Sequence, residues 1–137
     1  MQDTEQANAG QTASGQKSLY ERLGGYDAIV AFAKDFSARL FADPKLGRFW
    51  AYRGKDGIDR EVALIVDYLA AKSGGPVHYR GRDMKLSHAG MKIDELDWQA
   101  LMKHLNATLD HFNAPNKERL DVIAFIESTK ADIAEIH

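Results

Sequence analysis

The stretch Gly74 to Gly90, GGPVHYRGRDMKLSHAG, decides how this 137-residue chain reads. Its 17 residues hold four glycines and one proline and show little hydrophobic periodicity. Glycine and proline cost a helix interior about 1 and 3 kcal/mol respectively. On either side of the stretch they are placed so that long intervals escape them. Residues 26–43, 58–73, 91–114 and 116–137 contain neither type, and each is long enough for several helical turns. Seventeen residues without periodicity between such intervals are uncommon in a compact domain and tend to carry function.

The four intervals repeat their apolar residues at helical spacing. Ile29, Phe32, Ala33, Phe36 and Leu40 share one face of the first, and Ile58, Val62, Ile65 and Leu69 one face of the second. Trp98, Leu101, Met102, Leu105, Leu109 and Phe112 form the stripe of the third, with Asp94 as its expected N-cap and Asp97 favourably placed for the helix dipole. The fourth runs Val122, Phe125, Ile126, Thr129, Ile133, Ile136. No segment alternates as a strand would, so the expected fold class is all-α. Leu19 to Leu23 predicts a short opening helix ended by Gly24 and Gly25. Asp43-Pro44 predicts the cap of a short turn reaching Trp50, and Asn113-Ala114-Pro115-Asn116 a reversal that sets the third and fourth helices antiparallel.

Composition narrows the chemistry. With 45% hydrophobic and 28% charged residues the chain has the make-up of one globular domain. Eighteen Lys and Arg against 20 Asp and Glu give a net charge of -2, which offers no bulk attraction for nucleic acid or an anionic membrane. The absence of cysteine removes disulfides, thiolate-bound metal and haem, and cysteine nucleophiles. Residues 1–17 are polar and read as a flexible tail, with 18–137 as the domain. The tail holds no apolar run for a signal core or membrane span. The expected compartment is the cytoplasm, or the periplasm if the tail follows a removed signal.

The Gly74–Gly90 stretch also gathers reactive side chains: His78 and His88, Tyr79, and Arg80, Arg82 and Lys85 against Asp83. A basic loop is ordinarily a solvated one. Here, however, Met84 and Leu86 flank His88, and Ala89-Gly90 leave little bulk beside its imidazole. Two His ten residues apart are a poor zinc set, and no nucleophile-elbow sequence supports a Ser37 or Ser87 triad. A large flat apolar cofactor on one axial His fits better, since haem needs an imidazole, apolar walls and cations for its propionates.

In order along the chain stand Leu19-Tyr20-Glu21-Arg22-Leu23-Gly24-Gly25, Ala42-Asp43-Pro44, Gly74-Gly75-Pro76, Tyr79-Arg80-Gly81-Arg82-Asp83-Met84-Lys85 and His88-Ala89-Gly90-Met91-Lys92-Ile93. This set resembles the group I truncated haemoglobins, from about residue 18 to 137. The resemblance implies a truncated globin fold, two helices over two around haem b, with His88 as the proximal iron ligand. It implies that Phe36, Phe49, Trp50, Met84, Ile93, Trp98, Leu101 and Leu105 line the haem, and that Tyr79, Arg82 and Lys85 lie near its propionates. Leu101 and Leu105 read equally well as simple core.

The sequence departs from that family on the distal side. Where the family has a tyrosine, Ser37 stands, whose hydroxyl could equally bond back to the Ala33 carbonyl. Glu61 and Ile65 fall at the distal positions of the second long helix, and Tyr52 and Lys55 precede it. No His occurs before residue 78, which rules out a distal imidazole from that helix. The other imidazoles, His104, His111 and His137, read as surface residues. The implied function is reversible binding of O2, NO or CO, with nitric oxide dioxygenation if an electron donor is supplied. Peroxidase-like haem chemistry and a haem-free helical interaction module are the alternatives. A monomer or weak dimer is expected.

Overall fold

The computed structural model describes residues 17–51, 53–76, 79, 81 and 84–134. Among them the regular structure is entirely helical: α1 (Leu19–Leu23), α2 (Tyr26–Ala42), a 3-10 segment (Leu46–Trp50), α3 (Lys55–Lys72), α4 (Met84–His88), α5 (Glu95–His111), α6 (Asn116–Glu127) and α7 (Lys130–Ile133). None of these helices is long and apolar enough to cross a membrane. The chain forms two compact units. One holds α1, the start of α2 and most of α3; the other holds the rest of α2, the 3-10 segment, the start of α3 and the described residues from 84 onward.

In the first unit α1 opens on a reciprocal cap. Ser18 Oγ accepts from the Glu21 N–H at 3.1 Å while the Glu21 carboxylate accepts from the Ser18 N–H at 3.2 Å. The Tyr20 N–H donates to the Ser73 carbonyl at 2.9 Å, tying α1 to the end of α3. Gly75 permits that join, because a Cβ there would strike the Tyr20 ring and the Ala70 carbonyl, 2.9 Å away.

The core of the second unit is α5. Leu105 and Leu109 are fully buried, and Trp98 donates its indole N–H to Glu127 of α6 at 3.1 Å. The α5–α6 reversal turns through Asn113 at φ 53°, and Arg119 of α6 reaches back to Asn106 and Asp110 of α5. Antiparallel neighbours require such contacts. Thr108 Oγ1 donates to Asp35 at 2.8 Å, tying α5 to α2, and α4 packs against α7.

Three expectations about elements are corrected. The fourth interval is two helices, because at its middle Ser128 Oγ donates to the Phe125 carbonyl and Thr129 Oγ1 to the Ile126 carbonyl. These side-chain bonds compete with the next turn. The second interval starts earlier, at Lys55, and runs through Gly57. The irregular stretch contains a helix, α4, and His88 is its last residue.

Candidate functional site

In the second unit, α4 sets one imidazole with a defined proton. His88 Nδ1 lies 2.7 Å from the Met84 carbonyl oxygen one turn earlier. A carbonyl can only accept, so Nδ1 carries the proton, and in the neutral form of the ring the lone pair is on Nε2. That is the tautomer a metal ligand needs.

The apolar residues expected around a haem are in the same unit. Phe36, Ile93, Trp98 and Leu105 are buried, and Leu101 is half-buried. Phe49 and Trp50 end the 3-10 segment. Their rings meet edge to face at 6.1 Å, and Trp50 meets Phe41 the same way at 4.8 Å. Ser37 lies among the buried polar residues at 1% exposure, and its Oγ has no hydrogen-bond partner among the described residues. The back-bond to Ala33 is therefore not made. A buried hydroxyl without a partner is costly unless something outside the chain meets it.

The 3-10 segment is fixed by charge. Asp43 Oδ1 accepts from the N–H groups of Lys45 and Leu46 at 2.7 and 3.0 Å, as the Asp43-Pro44 reading predicts. Its other oxygen accepts from His104 Nε2 at 2.6 Å. His104 is thus a partly buried partner of Asp43 and not a simple surface residue. The hydrogen bond from His104, joined by the two backbone N–H groups against the opposing effect of burial, lowers the Asp43 carboxyl to about 2. Asp94 caps α5 as expected, and Asp97 adds what its sequence position gave no sign of: it returns a bond to the Asp94 N–H and gathers two cations. Arg48 forks onto its two oxygens at 3.0 and 2.8 Å, and Lys45 Nζ lies 3.2 Å away. Burial alone would raise this carboxyl; the bonds from Arg48, the Asp94 N–H and Lys45 outweigh it and hold Asp97 well below the usual range.

In the first unit, Glu61 and Ile65 are half-buried on α3. Tyr79 packs edge to face on Tyr68 at 5.2 Å, and Gly81 is tolerated there because a Cβ would overlap the Tyr79 ring and hydroxyl. Lys55 and Lys85 are exposed, and Met84 is half-buried as the first residue of α4. His111 is exposed and meets the Phe112 ring edge to face. Tyr52, His78, Arg82, His137 and residues 1–16 of the expected tail lie outside the described residues.

One His with its proton on Nδ1, apolar residues buried in the same unit, and a buried hydroxyl with no partner among the described residues are the kinds of group a helical haem protein needs. Comparison with known proteins gives the family. Residues 18–135 match the bacterial-like globin family, and the chain belongs to it. A group 1 truncated haemoglobin of Tetrahymena pyriformis is 30% identical over 117 residues, 85% of this chain and 94% of that one. The group 1 truncated haemoglobin GlbN of Mycolicibacterium paratuberculosis is 28% identical over 85% of this chain and 84% of its own. The crystal structure of the Tetrahymena pyriformis protein in its Fe(III) form superposes with a TM-score of 0.78, covering 86% of this chain and 98% of that one at 29% identity. The 2/2 haemoglobin of Synechococcus, at 22% identity, shares the fold with a TM-score of 0.76.

Proposed function

We propose that this globin binds haem through His88 and, at that haem, reversibly binds small diatomic gases. The observation that carries the reading is the 2.7 Å contact of His88 Nδ1 with the Met84 carbonyl, which leaves Nε2 as the basic nitrogen. Haem supplies, when bound, an iron centre with affinity for O2, NO and CO. The chain's own residues do the rest. Met84 orients the imidazole through its carbonyl, so the ring cannot turn without losing a hydrogen bond. Phe36, Phe49, Trp50, Ile93, Trp98, Leu101 and Leu105 offer the apolar surface that keeps water from the ring, and Lys85 an exposed cation for its propionates. Ser37 holds a buried hydroxyl for the gas side. A single serine hydroxyl in place of the family's tyrosine makes this a weakly polar gas side, which favours fast release. With an external electron donor, nitric oxide dioxygenation is the turnover this site would carry.

The test is optical. Protein loaded with haemin shows a Soret band that shifts on reduction under carbon monoxide, and His88→Ala loses that spectrum while added imidazole restores it. His104→Gln, at the other partly buried imidazole, retains it. A His88→Ala variant with the parent spectrum and no response to imidazole overturns the assignment of His88.

A further inference from the structure

Asp97 and His104 lie seven residues apart on α5, two turns along one helix face. Both reach the short segment that ends in Phe49 and Trp50: His104 holds Asp43 just before it, and Asp97 holds Lys45 and Arg48. Arg48 has a double use. Its guanidinium forks onto Asp97 and also lies 4.2 Å from the centroid of the Phe49 ring. Trp50 is in turn held between Phe49 and Phe41.

Capping alone does not account for Asp97. The third residue of a helix needs only to return a bond to the cap N–H, which Asp97 does at 3.1 Å to Asp94, and an exposed Glu or Gln serves as well. A fully buried carboxylate met by two cations from another element is a far more demanding arrangement. What it adds is a fixed Arg48, and a fixed Arg48 gives Phe49 one position.

We infer that Asp97 is a positioning residue for the haem pocket: through Arg48 it sets the placement of Phe49 and Trp50. This rests on the reading of Phe49 and Trp50 as haem-contacting residues. Asp97 touches neither haem nor gas itself. Its effect is read in how the asymmetric haem seats between its two flipped orientations and in how fast a gas enters past the aromatic pair.

The experiment uses the full haem-loaded chain as Asp97→Asn, Arg48→Met and Asp97→Glu, with Arg119→Ala, which cuts an α5–α6 contact, as the comparison. The haem-methyl proton resonances of the cyanide-ligated ferric protein report the ratio of orientations, and flash photolysis reports the carbon monoxide association rate. In Asp97→Asn and Arg48→Met the ratio and the rate should each change about threefold or more. Asp97→Glu should recover part of both, and Arg119→Ala should alter neither. Parent-like ratio and rate in Arg48→Met overturn the proposal, whatever happens to thermal stability, since Lys45 remains to meet the Asp97 charge in this variant. Failure of the parent protein to take up haem is a separate result: it overturns the haem reading and this inference with it.

Discussion

A carboxylate with no solvent exposure survives only if its charge is met, and Asp97 is met by Arg48, Lys45 and a backbone N–H. Removing one side of a buried pair costs about 3–5 kcal/mol. Here the loss is smaller, because Arg48 and Lys45 are partly exposed and keep their hydration when left alone. Asp97→Ala should therefore lower the unfolding free energy by about 2–3 kcal/mol in a urea titration. Lys117→Ala breaks an exposed pair with Asp121 and should cost less than about 0.5 kcal/mol. Equal costs for the two would show that burial of Asp97 contributes nothing. The same residues predict acid sensitivity. Asp97 and Asp43 are both held below the ordinary aspartate value, Asp43 at about 2. The stability they contribute is complete above a pH of about 4, the unfolded value, and is lost as pH falls through the folded values. Urea midpoints should thus be flat from pH 7 to 5 as far as these two groups are concerned and drop below pH 4. Asp97→Asn should reduce the size of that drop, and an undiminished drop would remove Asp97 from the account.

Helix ends separate what local chemistry specifies from what packing decides. Asp94 and Asp97 stand three apart before an apolar stripe, and α5 begins where that pattern says, with Asp94 Oδ1 accepting from the Asp97 N–H at 2.8 Å. Asp94→Ala should cost about 1 kcal/mol and Asp94→Asn much less, measured by thermal or urea unfolding, since Asn caps nearly as well. An Asn variant as damaged as the Ala variant would show that Asp94 acts through its charge and not as a cap. The break between α6 and α7 was not legible in the same way. Val122, Ile126, Thr129 and Ile133 keep helical spacing across it, while the hydroxyls of Ser128 and Thr129 bond to carbonyls of the preceding turn where the helix breaks. The five-residue α4 was hidden for a different reason: it is too short to show a period, and Gly81 and Gly90 bracket it. Gly57 obscured the start of α3, although one glycine in a first turn is a tolerable cost.

Across the whole molecule, legibility follows sequence separation. Met84 and His88 are four apart, so their hydrogen bond could be expected from helix geometry alone. Arg48 and Asp97 are 49 residues apart and Asp43 and His104 are 61 apart, and no local pattern announces such pairs. The Ser37 substitution could be read, but not the fate of its hydroxyl, which depends on every group that α2 buries against. That hydroxyl also ties the site to global stability. Without haem, Ser37 is 1% exposed and its Oγ has no partner among the described residues, a cost of about 1–3 kcal/mol that alanine would not carry. Replacing serine by alanine also removes little volume, so Ser37→Ala should leave the haem-free protein as stable as the parent or up to about 1 kcal/mol more stable. Haem binds the folded chain and should raise its stability by mass action, by about 4 kcal/mol when free haem is a thousand times the dissociation constant. Ser37→Ala should keep most of that increment, because His88 remains, whereas His88→Ala should lose it. Differential scanning calorimetry of the three proteins with and without haemin separates these terms. A Ser37→Ala protein that is clearly less stable than the parent without haem would mean that the hydroxyl has found a partner in solution, and the case for it as a group held for the gas would fall.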